Sequence, residues 1–146
     1  MRRSKLYPTP DEAESAFYDA FERGDLAAMM TVWAQGDSVV CVHPRGPRLV
    51  GFDAVRDSWM QIFAGGGAKL RIEPVETRRY DGQNVAVRAV IEVLSSPGHP
   101  DRQSVVATNV YELTDDGWRM VVHHATPLVE ATAVAEQESE TPHTLH

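Results

Sequence analysis

From residue 70 onward the chain repeats one pattern: a long run rich in valine, then a turn signal. The runs are Leu70 to Tyr80, Asn84 to Ser95, Arg102 to Leu113 and Trp118 to Val129. Asp81-Gly82 and Asp115-Asp116-Gly117 are tight-turn residues, and 96–101 (Ser-Pro-Gly-His-Pro-Asp) reads as a loop. Pro74 predicts a bulge in the first run, because a proline cannot donate to a strand ladder. Consecutive strands joined this closely pair antiparallel, and such a sheet buries one face against a second layer. The rest of the chain must supply that layer.

The first half supplies helices. Thr9-Pro10-Asp11-Glu12 reads as a capping box, with proline at the first helical position. Ala13, Ala16, Phe17, Ala20 and Phe21 then recur at helical spacing, and Gly24 stops the helix. Asp25 caps a second helix, with Leu26, Met29, Met30 and Trp33 on one face and Gly36-Asp37 at its end. Val39 to His43 is a short strand stopped by Pro44, and Arg45-Gly46-Pro47 is a turn. Gly51 leads into a third helix carrying Phe52, Val55, Trp59, Ile62 and Phe63. Gly65-Gly66-Gly67 ends it as a connector, since a phosphate loop lies between a strand and a helix start, the reverse order. The predicted class is α+β: a curved antiparallel sheet with three N-terminal helices on one face. An extension over 1–8 precedes one domain over 9–129. The polar tail 130–146, with His143 and His146, is expected to be disordered.

The 146 residues carry 14 basic and 21 acidic side chains, a net charge of −7. That charge disfavours nucleic acid and anionic membrane as partners. The apolar runs are shorter than the ~20 residues of a membrane span, and Tyr7-Pro8-Thr9-Pro10 stands where a signal peptide needs a hydrophobic stretch. The single cysteine, Cys41, lies in an apolar run and reads as core; a cytoplasmic location follows as the default.

Phe17 to Asp25, Met30 to Trp33, Val40 to Pro44 with Leu49-Val50-Gly51, and Thr108 to Glu112 followed by Asp116 to Val121 and His123-His124 carry a resemblance. Together and in order, they resemble the nuclear-transport-factor-2-like superfamily in its SnoaL-like branch, and the association domain of calcium/calmodulin-dependent kinase II. The resemblance implies a cone (the cystatin-like fold): a strongly curved sheet wrapped against three helices, open at one end to a pocket, and a homodimer through the outer face of the sheet. It does not fix function, because the superfamily spans isomerases, cyclases, dehydratases, epoxide hydrolases, transport factors and oligomerisation domains. The pocket aspartate of its isomerases and cyclases has no counterpart in the middle of a long strand here. The Asp-Arg-Asp set of its epoxide hydrolases is also missing, and Ala125 stands where the association domain would place a last-strand arginine.

Strand parity selects candidate site residues. Trp118, Met120, Val122 and His124 share the more apolar face of the last strand, which places His124 inside and His123 outside; a bulge would reverse this. Val105, Ala107, Asn109, Tyr111 and Leu113 share a face, with Asn109 its polar member. Arg88 and Glu92 share a face with Ala86 and Val90, and read as a surface pair. Val85, Val87, Ala89, Ile91 and Val93 form a wholly apolar face, either core or subunit interface. His43 ends the first strand, where the family's cone opens. The expected site is a small-molecule pocket with His43, Asn109 and His124 as polar groups and Trp33, Trp59 and Tyr111 as its wall. His43 or His124 would move a proton, and Asn109 would hold the ligand. Each of these also has a plain reading as a hydrogen-bonded core residue. No cofactor is called for. No metal site is expected either, since His123 and His124 on opposite faces cannot share an ion with His43 and Cys41. The expected function is an isomerase, cyclase or lyase type of reaction on a small organic molecule. The alternative is a non-catalytic oligomerisation or ligand-sensing module.

Overall fold

The computed structural model describes residues 5–66 and 70–129; the tail and part of the glycine triplet lie outside them. Helix α1 (Pro10–Arg23) begins at the expected cap, where the Thr9 hydroxyl accepts the Glu12 N–H at 3.2 Å. It ends at Gly24, whose φ of 62° lets its N–H turn back to the Ala20 and Phe21 carbonyls. Asp25 then caps α2 (Leu26–Val32), accepting the Ala28 N–H at 3.0 Å. Trp33 leaves the helix, with ψ at 142°, and bridges to Met120. That departure carries the indole into the core, where it is buried.

The sheet comprises β1 (Val40–Val42), β2 (Arg48–Val50), β3 (Arg71–Asp81), β4 (Val85–Ser96), β5 (His99–Thr114) and β6 (Gly117–Pro127), with α3 (Phe52–Gly66) between β2 and β3. The spatial order is β2-β1-β6-β5-β4-β3. This is the expected α+β cone, three helices against one curved sheet, with four local differences. The sequence reading missed β2, which pairs antiparallel with β1. β1 runs parallel to β6, so the sheet is mixed. The expected loop at 96–101 contracts to a turn at Pro97-Gly98, with Ser96 opposite His99. The irregularity in β3 falls between Val75 and Arg78, with Glu76 at φ 49°, while Pro74 stays in register opposite Glu92. β3 is an edge strand, which tolerates the N–H that proline lacks.

Phe17 of α1 and Trp59 of α3 meet edge-on at 5.7 Å, and Phe21 reaches the same indole at 4.8 Å. These rings join α1 to α3, and Trp59 reaches the sheet through the His123 ring of β6 at 6.0 Å. The two faces of β4 are now distinguished. Ala86, Arg88, Val90 and Glu92 are buried inside, whereas Val87, Ala89, Ile91 and Val93 lie on the outer face, part-buried or exposed. Arg88 and Glu92 are therefore not a surface pair. Each is met from α1: Arg88 by Asp11 at 3.0 Å and Glu92 by the Tyr18 hydroxyl at 2.8 Å, so burial leaves neither without a partner.

Candidate functional site

The pairing of β5 with β6 skips a residue. Val110 faces Val122, but Tyr111 faces Met120, so Val121 is the extra residue of a bulge. Beyond it the side-chain alternation reverses. Trp118 and Met120 point inward, as expected; then His123 and Ala125 are buried and His124 is exposed. The structure thus removes His124 from the interior and puts His123 there.

His123 belongs to a buried row of hydrogen bonds crossing three strands and α1. Its Nδ1 lies 2.6 Å from Asn109 Oδ1, Asn109 Nδ2 donates to the Tyr18 hydroxyl at 2.8 Å, and Tyr18 donates to Glu92 Oε2 at 2.8 Å. The row has one direction. Because Asn109 presents its carbonyl to the ring, His123 Nδ1 carries the hydrogen, and Nε2 keeps the lone pair. Every donor points toward Glu92. Burial raises the Glu92 carboxyl to about 7, opposed by the Tyr18 hydrogen bond. Burial, then the neighbouring charge of Glu92, holds the Tyr18 phenol well above its usual range. Burial, reinforced by His43 and His124, pushes His123 down to about 3, so its ring is a neutral member of the row at physiological pH.

His43 stands on the same side of the sheet at the end of β1. Its ring meets Trp59 edge-on at 4.8 Å and comes within 6.4 Å of the His123 ring. Ser58 of α3 donates to the Val55 carbonyl at 2.7 Å, so its oxygen accepts from His43 Nε2–H at 3.0 Å and leaves Nδ1 as the free basic atom. Burial lowers the pKa of His43 below its ordinary value. Cys41, also inside, is pushed up to about 12 by burial, which keeps the thiol protonated and inert. A cavity of about 320 Å³ opens where β1 ends, lined by Pro44, Arg45, Leu94, Ser104 and Val105 among others. Pro44 follows His43 in the chain and Val105 is the register partner of Glu92, though neither His43 nor Glu92 is among the residues that line this cavity.

Among the expected site residues, the structure gathers His43, Trp59 and Asn109 around this row. It places Tyr111 and Trp33 toward the other end, where Tyr111 faces Met120 across the β5–β6 pairing and Trp33 bridges to it. No group of three or more metal-ligating side chains converges among the described residues. Sequence reasoning missed Tyr18 and Glu92. The available signal for Glu92 was its parity with Ala86 and Val90; for Tyr18 it was an aromatic next to Phe17 on the buried stripe of α1.

The profile of the SnoaL-like domain family matches residues 11–130. A solved structure from Thiobacillus denitrificans, described as a calcium/calmodulin-dependent protein kinase type II association domain, is 40% identical. The match covers 85% of this chain and 98% of that one, with a TM-score of 0.78. A Streptomyces avermitilis protein described as a dehydratase of the nuclear-transport-factor-2-like family is 32% identical, covering 84% of this chain and all of that one (100%), with a TM-score of 0.72. The Arabidopsis thaliana F-box protein SKIP8 is 29% identical over 115 residues, 77% of this chain; the match spans about half of that protein, 47% of its length. The chain belongs to the SnoaL-like domain family.

Proposed function

We propose that this protein binds a small organic molecule in the cone and moves a proton on it, in a reaction of isomerase, cyclase or lyase type. The observation that carries this is a pair of interior groups whose environments push their proton affinities apart. Glu92 is raised to about 7 and is a neutral acid below that pH, while burial lowers His43 and leaves it a neutral base. Two groups so tuned divide general-acid and general-base roles at one pH. Asn109 and Tyr18 orient Glu92 rather than react, and Trp59 forms the wall beside His43. The likeness to a protein described as a dehydratase agrees with this class. The alternative, a ligand-sensing or assembly module, draws on the likeness to the association domain; it requires no proton transfer.

The test uses cyclohexanone in D2O and follows loss of its α-protons by NMR. Exchange above the buffer rate is expected, with a bell-shaped pH profile. The acid limb lies below pH ~6.5, where His43 takes its proton, and the alkaline limb lies near 7, where Glu92 loses its own. A flat profile at the buffer rate, for this ketone and for any ligand identified by mass spectrometry of the native protein, sinks the catalytic reading and leaves the sensing one.

We also propose that the protein works as a cytoplasmic homodimer through the outer face of the sheet. Val87, Ile91, Val106, Val110 and Val122 give the outer face across β4, β5 and β6 a mainly apolar surface, with Thr108 and His124 among them. A contiguous apolar patch on a soluble chain marks an association surface. Ile91→Lys is expected to give a monomer in sedimentation velocity with an unchanged far-UV spectrum; a dimer that survives it places the interface elsewhere. No helix among the described residues is long and apolar enough to cross a membrane.

A further inference from the structure

One helical turn before Tyr18, a second group of polar side chains meets between α1 and the inner face of the sheet, each with one atom left unsatisfied. Glu14 Oε2, Arg88 Nε and the Tyr111 hydroxyl are buried atoms with no hydrogen-bond partner in the protein. They come from three elements, α1, β4 and β5. Arg88 is 1% exposed and Tyr111 0%. Arg88 pairs with Asn109 in the register and Ala86 with Tyr111, so Arg88 and Tyr111 are diagonal neighbours on the inner face. Glu14 Oε1 stands 3.9 Å from Arg88 Nε, too far for a hydrogen bond. Buried polar atoms are almost always paired, and three unpaired ones on neighbouring side chains leave hydrogen-bonding capacity for a polar guest.

The charges there say which guest. The Arg88 guanidinium already serves Asp81 Oδ1 at 2.8 Å and Asp11 Oδ1 at 3.0 Å through its terminal nitrogens, and the Val87 carbonyl at 3.1 Å. Its charge is spent, so an anion gains little. The carboxyl of Glu14 is pushed by burial toward its neutral form, which disfavours a cation as partner. What remains is hydrogen bonding: a donor at Arg88 Nε, an acceptor at Glu14 and a hydroxyl at Tyr111 that does either. We propose that Glu14, Arg88 and Tyr111 form a second subsite inside the cone that takes an uncharged hydroxyl or primary amide group of the ligand. This rests on the proton-transfer reading above. It makes Tyr111 a specificity residue, remote from the reacting atoms, for neutral ligands with a polar end.

Four six-carbon probes test it: hexanamide, 1-hexanol, hexanoate and hexylammonium, titrated into the full chain and followed by backbone amide shifts. The amide and the alcohol are expected to shift Tyr111 and Ala86 and to bind about tenfold more tightly than either ion, the worth of one or two buried hydrogen bonds. Tyr111→Phe, which keeps the ring, and Glu14→Gln each reduce that preference several-fold without lowering the response of His43 and Ser58. Stronger binding of either ion, or equal shifts from all four probes, overturns the subsite. Shifts confined to His43 and Glu92 also overturn it but leave the proton-transfer reading in place. No interior shift from any probe overturns both.

Discussion

Glu92→Gln is expected to slow catalysed proton exchange by about 10²–10⁴-fold, the usual worth of a positioned acid or base. The substitution keeps the shape and an acceptor for the Tyr18 hydroxyl, so the row through Asn109 to His123 survives and the loss is one of chemistry. The same variant carries a stability signature whose sign follows from the raised carboxyl. A group at about 7 when folded and 4.5 when unfolded binds its proton more tightly in the native state. The stability this brings is fully present below pH ~4.5 and is lost as pH rises through about 7. The shift corresponds to about 3 kcal/mol. Glutamine does not titrate, so its stability relative to the parent should improve by that order between pH 4.5 and pH 8. The depressed His123 acts in the opposite direction over a neighbouring range, but it is present in both proteins and cancels in the difference. Urea unfolding at the two pH values measures this. A gap that does not change with pH means that Glu92 is ionised at low pH like an exposed glutamate.

Trp59→Ala should cost about 3–5 kcal/mol, the range for deleting a large buried aromatic. The indole is 0% exposed and holds Phe17 and Phe21 of α1, Phe63 of α3, His43 at the end of β1 and His123 of β6 around one centre. Among the described residues, Trp59 is the aromatic side chain that meets α1 and both histidines, while Phe17 also meets His123 at 5.0 Å. Its Nε1 makes no hydrogen bond to the protein, so Trp59→Phe forfeits volume but no partner and is expected to cost less than half as much. In the alanine variant water reaches His43, and its pKa should rise back toward 6.5, because burial is what lowers it. Urea denaturation gives the first number and an imidazole NMR titration the second. A loss under about 1 kcal/mol places the centre of the core elsewhere.

These residues also show what could be read in advance. Thr9, Gly24 and Asp25 set the helix ends through contacts three or four residues away, and such local chemistry is written in the sequence. The same holds for the β5–β6 turn at Asp115-Asp116-Gly117, and parity along β5 sent Asn109 and Tyr111 inward, where they are buried. What failed was decided at a distance. The bulge at Val121 arises from how β5 and β6 pair, and one extra residue exchanges His123 for His124 on the inner face. β2 is three residues long and exists because β1 offers it an edge. Glu92 looks like a surface carboxylate until α1 crosses it and Tyr18, 74 positions away, supplies the hydrogen bond that makes its burial tolerable. Polar interior groups are chosen by such long-range partners, which periodicity does not register.

The account turns on a carboxyl that keeps its proton at neutral pH inside the cone. A 13C titration of the Glu92 side-chain carboxyl in the folded protein measures this directly. A midpoint near 7 is expected, moving higher when Tyr18→Phe removes the hydroxyl that donates to the carboxylate; a midpoint near 4.5 in the parent protein contradicts a carboxyl that holds its proton.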